Sequence, residues 1–144
     1  MERSGAQHPN THTQISDEQK LYTIGDMARD FGVSLRALRF YEDRGLLHPR
    51  RQGLARYYNA TDRLTLQRIL KGKQLGFTLT EIREMLMNAP TSATLSLQPK
   101  QILTQIDHLE RQRQELDDAL LELRAAQEKA ARSGVADAVA IVAA

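Results

Sequence analysis

The apolar positions of this chain form short helical stripes punctuated by glycine and proline, followed by one long, narrow seam. From Thr23 the order is Thr-Ile-Gly-Asp-Met-Ala-Arg-Asp-Phe, a capping hydroxyl with an acid three residues later, as a helix start requires. The helix is expected to reach about Phe31 and stop at Gly32. Ser34 caps the next one, which continues to Arg44, and Gly45 stands where a left-handed stop belongs. On this second helix the i, i+3, i+4, i+7 rule puts Leu35, Leu38 and Tyr41 on one side and Arg36, Arg39, Phe40 and Asp43 on another. Together the two helices meet the steric rule of a helix–turn–helix. Ala28 is small at the crossing, Gly32 makes the turn, and Met27, Phe31, Val33, Leu38 and Tyr41 are the apolar set.

Beyond Leu47, Gln52-Gly53 marks a tight turn between two short extended segments within His48 to Tyr58. Strands this short must lean on the helices. Asn59 or Thr61 then starts a helix to Leu75, with Leu64, Leu66, Ile69 and Leu70 among its apolar positions, until Gly76 breaks it. Thr78-Leu79-Thr80-Glu81 is a capping box for a further helix through about Met87. Residues 89–98 form a Pro/Ser/Thr linker, and Pro99 is acceptable in the first turn of a helix over 99–132. There Ile102, Ile106, Leu109, Arg113, Leu116, Leu120, Leu123, Gln127 and Ala130 recur at alternating spacings of 4 and 3, a heptad seam. So narrow a stripe needs a partner, and self-association is the most economical one. The polar residues 1–20 are expected to be a disordered arm, and residues 133–144 a flexible tail. The fold class is all-α dominated: a winged helix–turn–helix head over 21–88 followed by a long dimerisation helix.

Charge sharpens this division. The chain carries a net charge of +2, but residues 21–87 hold 12 Lys and Arg against 7 Asp and Glu, while both flanking segments are net acidic. A basic middle third fits a polyanion, because Lys and Arg neutralise phosphates and release condensed counterions. Arg36, in the first turn of the second helix, and Arg39 carry guanidinium groups suited to bidentate contact with guanine edges or phosphates. Arg51 and Arg56 flank the hairpin turn as expected phosphate contacts.

The stretch Val33-Ser34-Leu35-Arg36-Ala37-Leu38-Arg39-Phe40-Tyr41-Glu42, with Gly45-Leu46-Leu47 and Arg56-Tyr57-Tyr58, resembles the DNA-binding head of the MerR family of bacterial transcription factors. The resemblance runs from about Tyr22 to Leu86. It implies two wings, the second at the Gly76-Phe77 turn, and a long helix that pairs antiparallel with its mate. It implies a homodimer on inverted repeats in promoter DNA, which distorts the duplex and so acts indirectly on RNA polymerase. The DNA-binding set carried by the residues and the resemblance is Thr23, Ser34, Leu35, Arg36, Arg39, Phe40, Tyr41, Arg50, Arg51, Gln52, Arg56, Tyr57, Tyr58 and Lys73. The dimerisation set is Ile102, Ile106, Leu109, Leu116, Leu120 and Leu123. The compact first wing, Arg51 to Arg56, and the segment Ile69 to Phe77 look closest to the subgroup that regulates branched-chain amino acid and fatty acid catabolism.

The chain has no cysteine, so disulfides and thiolate metal sites are excluded, unlike the cysteine-based sensors of that family. His8, His12, His48 and His108 have no acid or cysteine cluster around them, so neither a metal nor any other cofactor is expected, and the effector is not readable. No apolar run reaches the ~18 residues of a membrane span, which makes a cytoplasmic location and no membrane partner the expectation. An enzyme is not expected, since the chain offers no Cys nucleophile, no serine elbow, no phosphate-cradling glycine loop and no plausible acid pair. The competing reading is an excisionase-like architectural protein that bends DNA with the same head; a coiled-coil adaptor would leave the basic head unexplained.

Overall fold

The computed structural model describes residues 20–134. The arm expected over 1–20, apart from Lys20, lies outside the described residues, as do His8, His12 and the tail beyond Gly134. The chain divides between Ser96 and Leu97 into two units.

The first unit opens with β1 (Tyr22–Thr23), α1 (Ile24–Phe31) and α2 (Leu35–Asp43). The hairpin strands β2 (Arg50–Gln52) and β3 (Ala55–Tyr58) follow, then α3 (Ala60–Gln74) and α4 (Leu79–Asn88). Local chemistry sets the helix ends. Thr23 Oγ1 accepts from Asp26 N–H at 3.0 Å while Asp26 accepts from Thr23 N–H at 2.9 Å, a complete capping box. Gly32 ends α1 at φ 64°, a left-handed conformation that a side chain would strain. Ser34 Oγ accepts from Ala37 N–H, and reciprocal boxes pair Asn59 with Asp62 and Thr78 with Glu81.

The sheet holds one strand more than the sequence pattern foretold. Its order is β1-β3-β2, antiparallel throughout, with Tyr22 opposite Tyr58 and Thr23 opposite Tyr57. Two residues are too few to show alternation, so β1 has no signature along the chain. Beneath the sheet and between the helices, Met27, Leu38, Leu47, Tyr58, Leu66, Ile69 and Ile82 are fully buried. Burial of each such side chain contributes about 1.5–3 kcal/mol. Leu35 and Leu64, expected on apolar sides, are instead 42% exposed. Arg63 of α3 binds β1 and the end of α1. It pairs with Asp30 at 2.9 Å, and its guanidinium lies 4.3 Å from the Tyr22 ring centroid and 4.9 Å from that of Phe31.

The second unit is α5 (Pro99–Ser133), 35 residues and about 52 Å long at 1.5 Å per residue. Gln98 and Gln101 close a reciprocal box at its start, and Gly134 caps its end in the left-handed region. Ile102, Ile106, Leu109, Leu116, Leu120 and Leu123 are all 39–66% exposed, a stripe with nothing over it among the described residues. Among those residues, no helix is long and apolar enough to cross a membrane.

Helices α3 and α4 approach closely at Gly72. A Cβ there would stand 2.6 Å from Ile82 Cγ1 and 2.8 Å from its Cδ1, and Ile82 is fully buried. Two effects oppose each other in Gly72→Ala: better helix propensity, about 1 kcal/mol, against overpacking, about 1–3 kcal/mol. The contact distance decides for overpacking, because Ile82 has no free space to retreat into. Urea unfolding of Gly72→Ala should therefore show a net loss of stability; a gain would mean that the helices separate at little cost.

Candidate nucleic-acid interface

Helix α2 turns Leu38 and Tyr41 into the core and leaves Arg36, Arg39 and Phe40 exposed. Arg36 and Arg39 form no ion pair with any described carboxylate, so their charge is directed at solvent. Arg44, just past the helix, lies 5.0 Å over the Phe40 ring and extends the same cationic edge.

The hairpin places Arg51 directly opposite Arg56. Like charges facing each other across a strand pair repel. Glu42, in the last turn of α2, resolves the conflict. Its Oε1 accepts from Arg51 Nε at 2.9 Å and also from Arg51 Nη2, while Oε2 accepts from Arg56 Nε at 2.7 Å. One carboxylate thus ties both strands of the wing to α2. Burial alone would push the Glu42 carboxyl up; hydrogen bonds from Arg51 and Arg56, and their charges, outweigh it and hold the group below its ordinary 4.5.

The expected contact set divides accordingly. Arg36, Arg39, Phe40, Arg50, Gln52 and Lys73 are exposed, and Arg50 forms no ion pair among the described residues. Leu35 shares the exposed edge of α2, and Tyr57 is half-buried. Thr23 and Ser34 are exposed, but their hydroxyl oxygens already accept the capping bonds of α1 and α2. Arg51 is 58% exposed and shares its guanidinium with Glu42. Arg56 is only 22% exposed, and its Nε is committed to that carboxylate, so its first role is inside the head.

Two tyrosines need correction. Tyr58, counted among the expected DNA contacts, is fully buried, and its hydroxyl is enclosed without a hydrogen-bond partner among the described residues. It cannot meet a duplex without leaving the core. Tyr41, 9% exposed, lies in the core, as its place in the apolar set leads one to expect, and so offers a duplex little of its surface. The residue that the sequence reading missed is Glu42. Its partners lie 9 and 14 positions away across a turn, a separation that no local periodicity reports.

A sequence model described as "MerR HTH family regulatory protein" matches residues 22–89, and one described as "MerR, DNA binding" matches 63–126. The solved N-terminal part of the Bacillus subtilis multidrug transporter activator, MtaN, is 30% identical with a TM-score of 0.55; the match covers 72% of this chain and 94% of that one. The chain belongs to the MerR family. The second match extends well past Leu86 into α5, where the resemblance read from the sequence had faded. The regulator SkgA of Caulobacter vibrioides is 46% identical over 68 residues, which is 46% of this chain and 27% of SkgA. The chain thus spans about a quarter of that relative's length. HiNmlR, a MerR family regulator lacking the sensor domain and solved bound to promoter DNA, is 26% identical with a TM-score of 0.55, over 80% of this chain and 92% of that one.

The Glu42 tie has a pH signature. A carboxyl whose folded pKa is depressed contributes stability that is full above its unfolded pKa and lost as pH falls through the folded value. Glu42→Gln should cost about 1–3 kcal/mol at neutral pH and flatten the acid limb of the stability–pH curve below about 4.5. Equal slopes for both proteins in chemical unfolding between neutrality and pH 3 would remove Glu42 from this role.

Proposed function

We propose that this MerR-family chain is a sequence-specific, dimeric DNA-binding transcriptional regulator that binds inverted repeats in promoters. By distorting the duplex it acts indirectly on RNA polymerase. The head over 21–88 reads DNA, residues 89–98 link it to the coil, and the helix over 99–132 dimerises. The observation that carries this reading is the unpaired guanidinium face of α2, Arg36 and Arg39, fastened through Glu42 to a wing that carries Arg50. Unpaired cations on a rigid helix are available to phosphates and base edges without first breaking an internal bond. The neighbour HiNmlR is bound to promoter DNA, which supports the same use of the head here. The compact wing and the segment Ile69 to Phe77 support placement in the subgroup regulating branched-chain amino acid and fatty acid catabolism.

Arg36 reads bases, and Arg50 holds phosphate in place of the internally committed Arg56. Arg36→Ala should relax preference at one position per half-site and cost about 1–3 kcal/mol on the best sequence. Arg50→Ala should weaken all sequences alike and lower the salt slope by about 1. Binding titrations over a randomised operator library at several salt concentrations separate the two; identical losses would sink both roles. Genome-wide mapping of bound sites decides against the architectural alternative if occupancy is confined to discrete promoters.

The exposed stripe of α5 is the dimer seam, with Ile102, Ile106, Leu109, Leu116, Leu120 and Leu123 facing a second copy. Glutamate at both Leu116 and Leu120 would place unpaired charge in that seam at several kcal/mol per ion. Sedimentation should then report a monomer, and a persistent dimer would assign the interface elsewhere.

A further inference from the structure

Behind the recognition helix, on the first unit, lies a partly open cavity of about 230 Å³. Its wall is apolar at Leu46, Leu86 and Met87, and Arg68, Arg83 and His48 supply its polar groups. Among the described residues, no acidic side chain lines it. Arg68 is the unusual member. It is 3% exposed, and its Nη2 donates to the Ala89 carbonyl at 2.6 Å. Its Nε is buried without a hydrogen-bond partner, and it forms no ion pair among the described residues.

A buried charge without a counter-charge is costly. Burial pushes the Arg68 guanidinium below its ordinary pKa, yet arginine does not deprotonate in proteins, so the positive charge stays. The Ala89 carbonyl, at the negative end of α4, offsets part of that cost. It does not explain an acid-free cavity with a second guanidinium, Arg83, at its edge 3.7 Å from where a Gly45 Cβ would stand. Carboxylate binds guanidinium through strong charge-assisted bonds, and the leucine and methionine side chains suit a short hydrocarbon tail.

We propose that this cavity is a binding site for a small aliphatic carboxylate, its charge held by Arg68 and Arg83 and its tail against Leu46, Leu86 and Met87. None of its lining residues belongs to the proposed DNA-contact set, so the proposal does not depend on the function assigned there. An occupant touches Leu46, three residues past the end of α2, and Met87 in the last turn of α4, so it bridges the segment after α2 and the end of α4.

The test is a titration of the full chain, labelled at leucine and methionine methyls, with hexanoate by NMR. Hexanamide serves as the neutral match and inorganic phosphate as an anion without a tail. Hexanoate should give saturable shifts at Leu46, Leu86 and Met87, with hexanamide and phosphate each about tenfold weaker or more. Arg68→Met, close in volume and uncharged, should abolish the preference for hexanoate over hexanamide. Should that variant fail to fold, Arg83→Gln at the exposed edge decides, with an expected loss on the order of threefold or more. Absence of saturation by about 10 mM hexanoate overturns the proposal. So does equal binding of hexanamide or phosphate, a set of shifts confined to other methyls, or affinity unchanged in the folded variants.

Discussion

A single carboxylate between two opposed arginines organises the basic head of this protein. Arg51 and Arg56 face each other across the wing, and without Glu42 their mutual repulsion would work against the hairpin that carries them. Because Glu42 belongs to α2, the same contact that quiets the hairpin also docks it on the recognition helix. The strands alone, three and four residues long, hold too few bonds to persist in water. Their position is therefore borrowed from the helix, through an ion pair that is mostly withdrawn from solvent.

That arrangement divides the cations of the head into two populations. Arg56 and Arg63 are spent internally, one on Glu42 and the other on Asp30 and two aromatic rings. Arg36, Arg39 and Arg50 form no ion pair among the described residues and stand on the outside. A net charge alone does not distinguish these populations, although only the second is ready for a polyanion. The family relationship and the exposed guanidinium face therefore support one another from independent directions: one rests on sequence likeness, the other on which charges the fold has left over.

The two units have contrasting energetics. The head buries its own core, down to fully enclosed Leu38, Ile69 and Ile82, and packs α3 against α4 closely enough to require glycine at position 72. Helix α5 buries none of its seam leucines. An isolated helix draws little stability from propensity alone, which is why an exposed apolar stripe of this length supports the proposed pairing with a second copy.

Much of this was legible along the chain because the signals are local. Capping residues at Thr23, Ser34, Asn59 and Thr78, glycine stops at 32, 45 and 76, and the seam of α5 each act over fewer than eight positions, so spacing alone located the helices. The guanidinium face of α2 followed from the same periodicity. Side-chain pairing across the fold was not legible. Strand β1 exists only because β3 lies beside it, and Glu42 acts only because a hairpin returns two arginines to it. Tyr58 stands among the expected DNA contacts, yet the sheet turns it fully inward. The sequence by itself determined where helices begin and end, since those depend on neighbours in the chain. Only the tertiary structure decided which charges remain free and which are consumed, because that depends on groups brought together from distant positions.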